Sequence, residues 1–202
     1  MVHELNLSDF LIFIPLLLLS LSVHEFAHGY VADRLGDPTP RLFGRLSLNP
    51  LAHLDPIGTL VLLFTRRFGW AKPVPINPRN FSDPAKDTLL VSLAGPLSNI
   101  SLAVILSLPF RFNLIKTYSL LVPLLVNGIY LNIGLAIFNL IPIPPLDGSK
   151  ILAGLLPARY SYQLGIFERY GSVILAFLMF TGGLSKIISP LVNLVFNYIV
   201  GL

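Results

Sequence analysis

No cysteine occurs among the 202 residues, which excludes a disulfide framework, a thiolate zinc knuckle and a cysteine nucleophile. Any metal would have to be held by His, Asp, Glu or backbone oxygen. Charge is scarce as well, at 12% of residues against about 25% in an ordinary soluble domain. In its place stand 54% hydrophobic residues and a mean hydropathy of +0.76, a composition suited to a bilayer solvent. A net charge of +4 and a pI near 9.5 do not make a nucleic-acid binder, because the basic residues are scattered through linkers rather than gathered on one face. No Lys or Arg precedes the first apolar stretch and no small-x-small site follows it. That stretch is therefore expected to remain as a span rather than to be removed as a signal peptide.

What is present is a series of long apolar runs. Residues 9–33 are long enough for one crossing of about 20 residues. Residues 88–110 and 118–141 make a second and a third span, and 170–202 a C-terminal helical region broken at Thr181, Gly182 and Gly183. This last region reads as one broken span or as a hairpin of two. The linker 34–87 is rich in Pro, Gly, Arg and Asp, and its apolar run IGTLVLLF (57–64) is too short to span as a helix. Short strands or a re-entrant hairpin fit it better. The expected fold is a mainly α, polytopic helical membrane protein of one domain over 1–202, with a β-hairpin or small sheet inserted between the first two core spans.

Orientation follows from Lys and Arg. Arg34, Arg41, Arg45, Arg66, Arg67, Lys72, Arg79 and Lys86 lie in the 34–87 linker, and Lys150, Arg159 and Arg169 follow the third span, making eleven of the 14. Arg111 and Lys116 lie on the other side, joined by Lys186 if the last region crosses there. By the positive-inside rule the N-terminus is outside the cell membrane and the linker cytoplasmic.

His24, Glu25, Phe26, Ala27 and His28 spell H-E-x-x-H, which on a helix puts two imidazoles on one face, about 6 Å apart along the axis. Both can bind one zinc ion, with Glu25 placed to take a proton from the attacking water. A solvated helix face would carry the same pattern by chance, but charged groups at membrane depth need a partner, and a divalent cation supplies one. A proton or ion relay is the other reading of the same groups. A catalytic zinc takes three protein ligands. Asp147 follows the third span on the same side as His24 and His28, so it stands at similar depth and can complete the set, with Gly148 leaving room for close backbone approach. Taken alone, Leu146-Asp147-Gly148 is an ordinary helix start with Asp147 as its cap.

Three motifs together carry a resemblance: His24–His28, then Gly95-Pro96-Leu97-Ser98-Asn99 as G-P-x-x-N, then Asn139, Pro142, Pro144, Leu146, Asp147 and Gly148 as N-x-x-P-x-P-x-L-D-G. In that order and spacing the chain resembles the site-2 protease family of intramembrane zinc metalloproteases, in its compact bacterial form without a PDZ domain. The resemblance implies one Zn²⁺ per chain on His24, His28 and Asp147, Glu25 as general base, and Asn99 near the active site as a hydrogen-bond donor to substrate or oxyanion, or as a polar tie between spans. It implies transmembrane protein substrates cut in or near the bilayer, and a membrane-associated β-edge that holds the substrate extended. His53, beside Asp55, would orient substrate, shuttle protons, bind a second metal or simply pair with the Asp. Trp70 and AKPVPINP (71–78) suggest an interfacial anchor and an extended stretch. The function expected is intramembrane proteolysis on the cytoplasmic side; a metal or proton transporter, or a catalytically silent binder of membrane segments, are the alternatives.

Overall fold

The computed structural model describes residues 7–65, 69–115 and 121–201. Among the described residues eight α-helices follow one another: α1 (Leu7–Arg34), α2 (Thr39–Leu42), α3 (Pro56–Thr65), α4 (Pro84–Arg111), α5 (Leu121–Leu140), α6 (Asp147–Leu155), α7 (Ser161–Phe180) and α8 (Gly183–Val200). Within α1, Phe13–Arg34 is long and apolar enough to cross a membrane, as are α4, α5 and α8. Arg66, Arg67 and Lys116, counted above for orientation, lie outside the described residues.

The centre of the molecule is α4, which packs against α1, α5, α6 and α8. Its start is written locally: Pro84 occupies the first turn, where no N–H is needed, and Asp83 accepts from the Lys86 N–H at 3.2 Å. Ser92, Gly95, Asn99, Ala103 and Ser107 recur every three or four residues and are buried. Such a stripe of small side chains lets neighbouring helices approach closely, which is how helices associate where lipid removes the hydrophobic drive. At one end Ala103, Ile129, Ile133, Val192, Phe196 and Ile199 make an apolar cluster of α4, α5 and α8. Large apolar residues such as Leu97, Ile105, Leu124 and Leu194 stay exposed on the outer faces, as a lipid environment permits.

The expected β-hairpin or small sheet in the linker is not there. Among the described residues 34–87 form α2, α3 and two short 3₁₀ turns, Pro50–His53 and Pro78–Asn80, and the only pairing is an isolated bridge between Leu54 and Ala71. The apolar run IGTLVLLF is helix α3. Period alone does not separate a short helix from a short strand; the capping chemistry does. Asp55 accepts from the Gly58 N–H at 2.7 Å and Pro56 fills the first helical position, the same Asp-Pro start as α4. The C-terminal region resolves into two helices, α7 and α8, joined at Gly182 in the left-handed conformation (φ 70°), which glycine alone adopts freely.

Candidate metal centre

His24 and His28 project from one face of α1, with ring centroids 4.6 Å apart and planes at 87°. Asp147, the first residue of α6, faces them: its Oδ2 lies 3.2 Å from His24 Nε2 and 3.1 Å from His28 Nε2, while the two Nε2 atoms are 3.0 Å apart. All three side chains are buried. Asp147 is thus not spent as a helix cap; no side chain caps α6, and the carboxylate is turned to the histidines. Gly148 permits this turn, since a Cβ there would strike the Leu140 and Ile141 carbonyls.

The outer ring nitrogens explain what the inner ones can do. His28 Nδ1 meets the Val91 carbonyl at 2.7 Å, so it must be the donor, leaving Nε2 a bare lone pair. His24 Nδ1 meets Asn99 Oδ1 at 2.6 Å, which assigns the same tautomer. Two lone pairs and a carboxylate oxygen then converge on one point, an arrangement that repels itself unless a cation sits between them. Their separations match the edge of a tetrahedron, about 3.3 Å for ligand bonds of about 2.0 Å. Gly95 fits the same picture: a Cβ there would collide with His24 and His28 ring atoms, so α4 presents bare backbone to the centre. Geometry, burial and second-sphere hydrogen bonds all suit Zn²⁺.

Glu25, one residue on, lines together with His24 an apolar cavity of about 460 Å³. The cavity is bounded by α1, α3 and α5, with Leu21, Leu62, Trp70, Leu135 and Asn139 among its walls. Glu25 Oε2 accepts from the Val74 N–H at 2.9 Å. Val74 belongs to an extended strap that the linker lays along this side. Lys72 N–H donates to the His53 carbonyl at 2.8 Å, Arg45 donates to the Lys72 and Pro73 carbonyls, and the Asn77 N–H donates to Asp37 at 2.7 Å. Burial pushes the Asp37 carboxyl up, but hydrogen bonds from Thr39, Asn77 and Asn80 outweigh it and hold the group below the usual carboxylate range.

His53 lines the cavity too, yet it is not paired with Asp55. Its Nε2–H donates to the Ser47 carbonyl at 2.7 Å, and its buried Nδ1 has no hydrogen-bond partner among the described residues. Asn99 is fully buried, its amide N–H groups directed to the Ser20 carbonyl (3.3 Å) and Asn132 Oδ1 (2.9 Å). Sequence reasoning passed over Asn132, Val74 and the steric role of Gly95. A signal for Asn132 was available: a carboxamide in the middle of an apolar span is costly there and needs a partner.

A sequence profile described as Peptidase family M50 matches residues 115–182. The chain is 38% identical over 198 residues, 95% of its length and 89% of the relative's, to a Bacillus subtilis protein named "Putative zinc metalloprotease YwhC". It is 30% identical to "Putative zinc metalloprotease Rip2" of Mycolicibacterium smegmatis, over 90% of this chain and 71% of that one. It is 29% identical to "Zinc metalloprotease MJ0392" of Methanocaldococcus jannaschii, over 73% of this chain and 35% of that one. No solved structure matches the chain.

Proposed function

The chain belongs to peptidase family M50, and we propose that this multi-pass zinc metalloprotease cuts transmembrane segments of other membrane proteins at the centre formed by His24, Glu25, His28 and Asp147. The observation that carries the residue assignment is the convergence of three buried donor atoms from α1 and α6 within 3.2 Å of one another, with both outer imidazole nitrogens already committed. Bound there, zinc supplies a Lewis acid that polarises a carbonyl and makes a neighbouring water more acidic. His24, His28 and Asp147 hold the ion, and Asn99 and the Val91 carbonyl orient the two rings. Glu25 is not in the ligand set. With Oε2 held by the Val74 N–H, its Oε1 takes the proton of the attacking water and later returns it to the leaving amine.

The apolar cavity beside Glu25 receives the substrate. A regular helix is about 10 Å across and shields its own peptide bonds, so the segment enters unwound, its side chains against the leucines of α1, α3 and α5. Asn139, whose Nδ2 donates to the Leu135 carbonyl at 3.0 Å, is the carboxamide on the cavity wall and stands where a substrate backbone would pass. The Lys and Arg bias supports an N-terminus outside the inner membrane and a centre near the cytoplasmic face.

Two experiments test this reading. Purified with its metal and given single-span substrates, the protein cleaves them and a chelator stops it; Glu25→Gln keeps its zinc but loses about 10²- to 10⁴-fold in turnover. Cleavage at the native rate by Glu25→Gln would remove the base assignment. Because the chain has no cysteine, Ser82→Cys and Leu114→Cys each carry a single thiol. In sealed cells a membrane-impermeant reagent labels Leu114→Cys and spares Ser82→Cys; the reverse pattern would invert the topology.

A further inference from the structure

We propose that Asn132, in the middle of α5 and, among the described residues, with its hydrogen bonds on Asn99, Ser20 and Gly128 rather than on the donor triad, is a positioning residue for the zinc: through Asn99 it dictates which nitrogen of His24 is free to bind. The inference rests on His24 being a ligand. Its starting point is that a carboxamide is nearly symmetric in shape. Asn99 could present either its oxygen or its NH₂ to His24 Nδ1, and the two choices have opposite consequences. An oxygen there demands Nδ1–H and leaves Nε2 bare towards Asp147; an NH₂ there demands a bare Nδ1 and puts a proton on Nε2, where the ion must go.

The choice is made by a chain of hydrogen bonds that ends on backbone. Asn132 Nδ2 donates to the Gly128 carbonyl at 2.8 Å and to Ser20 Oγ at 2.9 Å. A carbonyl only accepts, so the NH₂ of Asn132 is assigned and its Oδ1 must point the other way, to Asn99. That oxygen accepts from Asn99 Nδ2 at 2.9 Å, and the Ser20 carbonyl accepts from the same nitrogen at 3.3 Å. Asn99 Oδ1 is thereby directed at His24 Nδ1. Asn99, Asn132 and Ser20 are all 2% exposed or less, so water does not compete for these contacts. Each link forbids the flip of the next, and α5 thus sets the tautomer of a ligand on α1. His28 needs no such relay, because the Val91 carbonyl fixes its ring directly.

The test measures zinc affinity of the purified protein by competition with a chromophoric chelator, alongside helical circular dichroism to verify folding. Asn132→Leu, similar in size but unable to accept from Asn99, leaves the Asn99 amide held only by the longer contact to the Ser20 carbonyl, so that it flips more readily and zinc binding weakens about 10- to 100-fold, the usual range for loss of an outer-sphere partner. Adding Asn99→Asp to that variant restores most of the affinity, because a carboxylate can only accept from His24 Nδ1–H whichever way it turns. Unchanged affinity in folded Asn132→Leu overturns the proposal. So does a loss that Asn99→Asp fails to restore, which would make Asn132 a packing residue only. Should the leucine variant not fold, Asn132→Ser, too short to reach Asn99, takes its place in both measurements. His24→Ala keeps the two readings apart: retained zinc in that variant sinks the ligand assignment itself, whereas lost zinc there with full affinity in Asn132→Leu sinks the relay alone.

Discussion

One helical turn separates two different ways of burying side chains along the same pair of helices. Asn99 on α4 and Asn132 on α5 are buried and spend their polar atoms on one another, on Ser20 and on His24. A turn further along, Ala103 on α4 and Ile129 on α5 join one apolar cluster, buried to the same degree with no polar side-chain atom at all. Both turns hold the helices together. The polar turn has direction, because each hydrogen bond dictates where donor and acceptor must lie, whereas the apolar turn has only shape. The proposed metal centre needs the first kind and a helix bundle is content with the second.

That contrast is broken most severely at Gly95→Ala. The added methyl group would occupy the space of the His24 and His28 rings, so bound zinc falls to background and cleavage with it, as metal analysis of the purified variant would record. A variant that kept stoichiometric zinc would show that the centre is roomier than its geometry. At the apolar turn the expected effect is of another type. Ile129→Ala leaves a cavity and costs about 2–5 kcal/mol of stability, seen as a lower melting temperature in detergent, while zinc per folded molecule stays the same. The smallest effect belongs to a polar cluster outside the spans. Asp37, held below the usual carboxylate range by Thr39, Asn77 and Asn80, contributes stability that is fully present above its unfolded value of about 3.9 and is lost as pH falls through its lower folded value. Melting curves taken from pH 6 down to pH 3 should therefore decline on the acid side, and Asp37→Asn should flatten that decline; an equally steep decline in the variant would assign it to other carboxyls.

Much of this was legible from residue order. The His24–His28 spacing, the apolar runs and the Pro-rich turn that returns Asp147 to the level of the histidines are each local statements, and the chain honours them. The linker departs from its expected β-hairpin because its apolar run is too short for period to distinguish helix from strand, and it is the Asp55-Pro56 start that makes it helical. Asn99 was singled out as a group near the chemistry, but its partners are 79 and 33 positions away at Ser20 and Asn132, and no local pattern names them.

By itself the sequence determined a membrane solvent, long helices, a histidine pair on one helical face and a carboxylate able to join it, because hydropathy, helical spacing and proline placement act over a few neighbouring residues. Tertiary structure decided which lone pairs meet, that Val74 of the strap engages Glu25, and that Gly95 must be bare. Those outcomes depend on distances between atoms far apart in the chain, and only the packing of α1, α4, α5 and α6 against one another sets them.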